Sequence, residues 1–199
     1  VLRAPEGSTV VTPLTTLVEQ LVSSKSAADA ASAETMVLQK LGLSATFDLL
    51  NADPIALVRA GGNDAAAAFA VQQAGVMVAT ILQSTGNVDP AIGFETALSN
   101  LASFFTGSGT LNLLDSGVLS QVGATRMIGD ALAALTTLSN ASSLAAISTA
   151  QAASLVAVNP TLFEVDEDVK VTSPSDSVEI PDIDVVDGSD TGASNTDNI

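Results

Sequence analysis

Three times in its first ninety residues the chain places a capping oxygen directly before a proline: Thr12-Pro13, Asp53-Pro54 and Asp89-Pro90. The side-chain oxygen satisfies an orphan amide at a helix start, and proline has no amide to leave orphaned. After Pro13 the apolar residues Leu14, Leu17, Val18, Leu21 and Val22 recur at helical spacing along one face. This punctuation predicts an all-α fold, a multi-helix bundle. A second helix is expected over "SAADAASAETMVLQK", opened by Ser26 and Asp29 as a box-like pair and closed by Gly42-Leu43 as a Schellman stop. A short helix should follow Pro54 and end at "AGG". Four longer ones are expected at about 64–84, 90–106, 117–139 and 141–157, separated by "STGNVDP", "TGSGTLNLLDSG" and "SNAS".

Composition shapes the core. Hydrophobic residues are 47% of the chain but aromatics only 3%, so the bundle is alanine-rich and packs small side chains. Gly75, Gly93, Gly123 and Gly129 fit that picture as points of close backbone approach, at a cost in helix propensity. The stretch "AAAAFAVQQAGVMVATIL", residues 65–82, carries no charge and is long enough to span a bilayer. Gln72-Gln73, the many alanines and the absence of flanking Lys or Arg favour a central bundle helix over membrane insertion.

Charge divides the chain. Residues 1–160 carry 11 acidic and 5 basic groups; residues 161–199 carry 11 acidic and 1 basic. The expected organisation is a helical bundle at 1–160 and an acidic, largely extended segment at 161–199. That segment is a linker or the start of a β-rich module, with short strands in "FEVDEDVKV" and "DSVEI". Pro160 is a helix stop. The overall charge of −16 repels nucleic acid and anionic lipid and favours divalent cations.

Absent residue types exclude much chemistry. Without histidine, cysteine, tryptophan or tyrosine, the usual general base, thiol nucleophile and soft-metal ligands are missing. Asp48, Asp53 and Asp64 are the carboxylates that could pair, but Asp53, Asp64 and Asp89 read as helix caps. No aromatic platform exists for a sugar. A serine nucleophile would need Lys25, Lys40 or Lys170 as base, and no Ser-x-x-Lys occurs. No catalytic residue is therefore predicted.

Calcium is the one ion this chemistry suits. The candidate ligands are Asp166 and Asp168 in "FEVDEDVKV", and Asp182, Asp184 and Asp187 in "DIDVVDGSD". The second run is no EF-hand, because Val186 and Asp187 stand where that loop needs an oxygen ligand and a glycine. An inter-module calcium site is one reading and a solvated acidic linker the other. A different possibility is a carrier: Met36, Met77, Met127 and Phe104-Phe105 could enclose a small apolar ligand, or simply fill a core.

"TVVTPLTTLVEQLV", "LGL" at 41–43, "DL" at 48–49 and "DPI" at 53–55 resemble a helical module of very large secreted bacterial proteins. Those proteins carry tandem cadherin-like or RTX-type calcium-binding repeats. The likeness covers residues 9–85 best and fades toward 158. No GGxGxDxxx nonapeptide occurs here. The resemblance implies a structural or interaction module of an exported surface or matrix protein, extracellular, partnered by neighbouring domains of the same chain or other surface proteins. The start "VLRAPEGSTV" has no signal-peptide pattern, so the chain reads as a piece of something longer, with "RAPEGST" as the joint to a preceding module.

Overall fold

In a computed structural model the described residues are 1–88, 93–124 and 128–158, with side chains described to 85 in the first span and to 154 in the last. Among them the architecture is helical throughout, without strands.

The first helix, α1 (Pro13–Ser23), opens on Thr12 as the sequence predicts. Thr12 Oγ1 accepts from the Thr15 N–H at 3.1 Å, and Thr15 Oγ1 accepts from the Thr12 N–H at 2.8 Å, a capping box built from two threonines. Leu14, Leu17, Val18 and Leu21 are buried. At its far end the N–H groups of Lys25 and Ser26 return to the carbonyls of Val22 and Leu21. This closure puts Lys25 at φ 61°, a left-handed position that glycine usually fills.

The second helix, α2 (Ala30–Lys40), begins four residues after Ser26. Asp29 alone caps it, accepting from Ser32 N–H at 2.7 Å; Ser26 instead meets Ser24 in the turn that closes α1. At the other end the predicted stop is present: Leu43 N–H reaches Leu38 O at 2.8 Å and Gly42 N–H reaches Gln39 O. The short α3 (Pro54–Ala60) is capped by Asp53, whose Oδ1 accepts from Ile55 and Ala56 N–H.

The long helix α4 (Ala65–Val88) runs past its expected end at 84. Ser84 and Thr85, read as turn residues, are buried and donate their hydroxyls to Ile81 O at 2.8 and 2.9 Å. Their polarity is satisfied inside the helix, so they do not break it. The next helix, α5 (Phe94–Ser103), starts at extended Gly93 rather than at Pro90 and continues into a 3₁₀ turn at Phe104–Thr106. The Asp89-Pro90 cap lies outside the described residues.

The predicted helix 117–139 is two helices, α6 (Ser116–Val122) and α7 (Ile128–Ser139). Gly123 separates them at φ 114°, with its own N–H and that of Ala124 turning back to Ser120 and Leu119. That left-handed conformation suits glycine and ends the helix. The last described helix, α8 (Leu144–Val158), is capped by Ser143, whose hydroxyl accepts from Ala146 N–H at 3.1 Å.

Helix α4 packs against α1, α3, α5, α6, α7 and α8 and is the axis of the bundle. Its segment Ala65–Thr85 is long and apolar enough to cross a membrane, and here it is largely covered by its neighbours. The glycines do not serve the close approach expected of them. A Cβ at Gly75 would meet Leu14 Cγ at 3.8 Å, an ordinary contact, and Cβ atoms at Gly93 and Gly129 would meet nothing within 4 Å. Gly75→Ala is accordingly expected to raise stability by about 0.5–1 kcal/mol through helix propensity, read as a higher urea midpoint.

The segment preceding α1 is bound to the bundle. Arg3 N–H donates to Thr16 Oγ1 and Thr16 Oγ1 donates to Arg3 O, at 3.0 and 2.8 Å. Thr9 and Val10 N–H both reach Leu50 O, Arg3 pairs with Glu95, and Pro5 is buried. The stretch "RAPEGST" is thus fastened to the bundle at several points.

Candidate functional site

Two of the acidic side chains that could pair, Asp48 and Asp53, have a local task. Asp48 Oδ1 accepts from the N–H groups of Leu50 and Asn51 at 3.1 and 3.0 Å, closing the turn before α3. Asp53 caps α3. Asp64 stands before α4, where its carbonyl accepts from Ala68 N–H at 2.8 Å. Asp48 and Asp64 do share the wall of a depression of about 480 Å³, together with Ser44, Thr46 and Asn63. The Asp48 carboxylate there accepts from main-chain amides of its own turn.

Sequence reasoning missed Glu34. It lies on α2 and accepts a hydrogen bond from Leu49 N–H, tying α2 to the loop that precedes α3. Burial is the main cause that lifts its pKa above the usual value of 4.5, opposed by the Leu49 amide and reinforced by the Asp48 charge. The folded state therefore holds this proton to higher pH than the unfolded state does. Across that window, upward from about pH 4.5, ionisation of Glu34 subtracts stability as pH rises. A glutamine at this position would keep the acceptor and lose the charge. Glu34→Gln is expected to be at least as stable as the parent near pH 7, with the difference closing as pH falls toward 4.5. Urea midpoints measured at intervals across that range check this.

The calcium candidates Asp166, Asp168, Asp182, Asp184 and Asp187, and the two strands expected near them, lie outside the described residues. Among the described residues no three acidic side chains come together in a way that could hold a metal ion.

The residues proposed to line a carrier cavity are not gathered round one space. Met77 and Phe105 are buried in the core, Met36 and Phe105 face a pocket beside α2, and Met127 lies outside the described residues. An apolar depression does exist elsewhere, about 220 Å³, between α1, α3 and α4. Its walls include Val11, Phe47, Leu49, Ile55, Val71 and Val76. No spacing pattern could have found it, because its walls come from four separate segments.

Of the three lysines considered as a base, two are among the described residues. Lys25 is exposed in the turn after α1, and Lys40 ends α2. Gln73, read earlier only as a sign against membrane insertion, has a defined partner. Its Nε2 donates to the carbonyls of Leu138, Ser139 and Ala141 at 2.8, 3.1 and 3.2 Å, where α7 ends.

No family model, curated protein or solved structure matches this chain. The functional reading rests on the residues themselves.

Proposed function

We propose that this chain is a non-catalytic structural or interaction module of a large exported bacterial surface or matrix protein, joined through its acidic C-terminal segment to further domains. The observation that carries the reading is how the polar side chains of the bundle are used. Thr15, Thr16, Thr80, Ser84, Thr85 and Ser154 are buried, and each donates to a main-chain carbonyl. Asp29, Asp53 and Asp115 cap helices, and Asp48 and Glu34 hold a loop. Polar groups of this kind maintain a scaffold; an acid–base pair would need carboxyls left available to a substrate. The resemblance to modules flanking calcium-binding repeats supports the extracellular setting, with neighbouring domains as partners.

Calcium at the junction after the bundle is the second part of the proposal. Clustered carboxylates repel one another, and an ion shared among Asp166, Asp168, Asp182, Asp184 and Asp187 would relieve that repulsion and stiffen the segment. Small-angle scattering and melting of the 199-residue chain, with and without millimolar calcium, test it. A stiffer, more extended particle with a higher melting temperature, lost on replacing those aspartates by asparagine, is the expected result. An unchanged profile would overturn the calcium part, and turnover in a hydrolase screen would overturn the non-catalytic part.

The apolar depression between α1, α3 and α4 favours a second reading, a carrier of a small apolar ligand. Native mass spectrometry of the purified chain separates the two, since a carrier would retain apolar cargo.

A further inference from the structure

Among the described residues three large apolar side chains are exposed, Val1, Leu2 and Val11, and all three border one surface. The depression between α1, α3 and α4, with Val11 on its wall, adjoins a second of about 490 Å³ that Val1 and Leu2 border. Pro13, Gln72 and Val76 line both, so the two form one trough. Its floor is a stripe of α4. Gln72, Gly75, Val76, Ala79, Leu82 and Gln83 share one face of that helix, at the spacing i, i+3, i+4, i+7, i+10 and i+11. At 1.5 Å per residue the stripe is about 16 Å long. The two volumes, about 220 and 490 Å³, together fall in the range of about 300–1,000 Å³ usual for small-ligand sites.

Charge says what kind of occupant fits. No acidic or basic side chain lines either depression, in a chain of net charge −16. Arg3 and Glu95, next in sequence to Leu2 and Phe94 on the walls, are paired with each other. The helix starts that border the trough are poor anion sites: proline holds the first position of α1 and of α3, and Thr12 and Asp53 take up amides behind it. Half-buried Gln83 and Gln151 stand at the end of the trough away from α3, with neutral amides that both donate and accept.

We infer that this trough binds an alkyl chain with an uncharged hydroxyl or ester head. The head lies at the Gln83 and Gln151 end, and the chain runs over Ala79, Val76 and Gly75 toward Phe47. A carboxylate head would bring a charge into a partly desolvated place that has no cation for it. This inference rests on the carrier reading and names its class of ligand.

The test titrates the 199-residue chain with 1-butanol, 1-hexanol and 1-octanol, and with sodium octanoate at pH 7, following the amide resonances of residues 72–83. Saturable shifts with the alcohols are expected, with affinity rising about fourfold per added methylene. Octanoate should bind about tenfold more weakly than 1-octanol. Ala79→Lys sets a charge in the middle of the floor and should abolish binding. Leu2→Ser combined with Val11→Ser changes only exposed positions and should weaken binding about tenfold. Shifts that grow without saturating would overturn the inference, as would equal affinity for octanoate or undiminished binding by both variants. A concentration-dependent dimer in sedimentation that moves the same resonances without alcohol would also overturn it, by assigning the trough to a second copy. Native mass spectrometry separates this inference from the reading beneath it. Cargo with a charged head keeps the carrier and overturns the uncharged ligand, whereas a cargo-free chain that binds the alcohols with the expected chain-length dependence supports the site and removes the carrier role.

Discussion

Phe105→Ala is expected to destabilise the bundle by about 3–5 kcal/mol, the usual range for removing a buried phenylalanine. Phe105 is 1% exposed and is the aromatic among the largest fully buried side chains, which are otherwise leucines and one isoleucine. It sits on the one-turn 3₁₀ helix that packs against α2. A core of small residues is poorly placed to close over such a loss: alanines and valines have short reach and few rotamers, so the cavity would persist. For a fold with a stability of about 5–15 kcal/mol, such a change is a large fraction of the total. Urea unfolding followed by circular dichroism gives the value. A cost below about 1 kcal/mol would mean that the turn can collapse onto α2 and that the packing around it is loose.

The second large effect is expected at Gln73. Its amide donates across 65 residues of sequence to carbonyls at the end of α7, a helix whose own C-terminal acceptors need partners. Gln73→Leu leaves those carbonyls without this donor in a partly buried position and should cost about 1–3 kcal/mol. Gln73→Glu is the sharper comparison, because it keeps the shape and replaces the donor by an acceptor facing other acceptors. It should cost more than leucine does, and the gap should narrow at acid pH as the carboxyl gains a proton. Equal effects of the two substitutions would assign the role of Gln73 to packing rather than to hydrogen bonding.

These two residues also mark the limit of what the sequence could tell. Thr12, Asp53 and the Gly42 stop were legible because a cap involves only residues within one turn of each other, and the spacing states the partners. The buried face of α1 was legible for the same reason. Gly123 was misread as a packing residue: within the apolar run around it, a helix stop and a helix interior have the same composition, and only φ distinguishes them. Ser84 and Thr85 misled in the opposite direction, since hydroxyls that suit a turn can also bond back to their own helix. Gln73 and Glu34 draw their meaning from chain segments that folding brings beside them. Of the carboxylates read as caps, Asp53 caps α3 and Asp64 contributes only its carbonyl at the start of α4, whereas the aspartates proposed for calcium fall beyond residue 158.

The way the first ten residues are bound has a mechanical consequence. A pull applied at Val1 would not simply straighten a tether up to Pro13. It would be taken up first at Arg3, through the paired bonds with Thr16 and the ion pair with Glu95, and then at Thr9 and Val10 on Leu50. Tension would therefore be divided among α1, α5 and the loop before α3 before it reached the leucines beneath them. A strand fastened at several points yields in steps, so the N-terminal end would release length in small increments while the α4-centred core stayed folded.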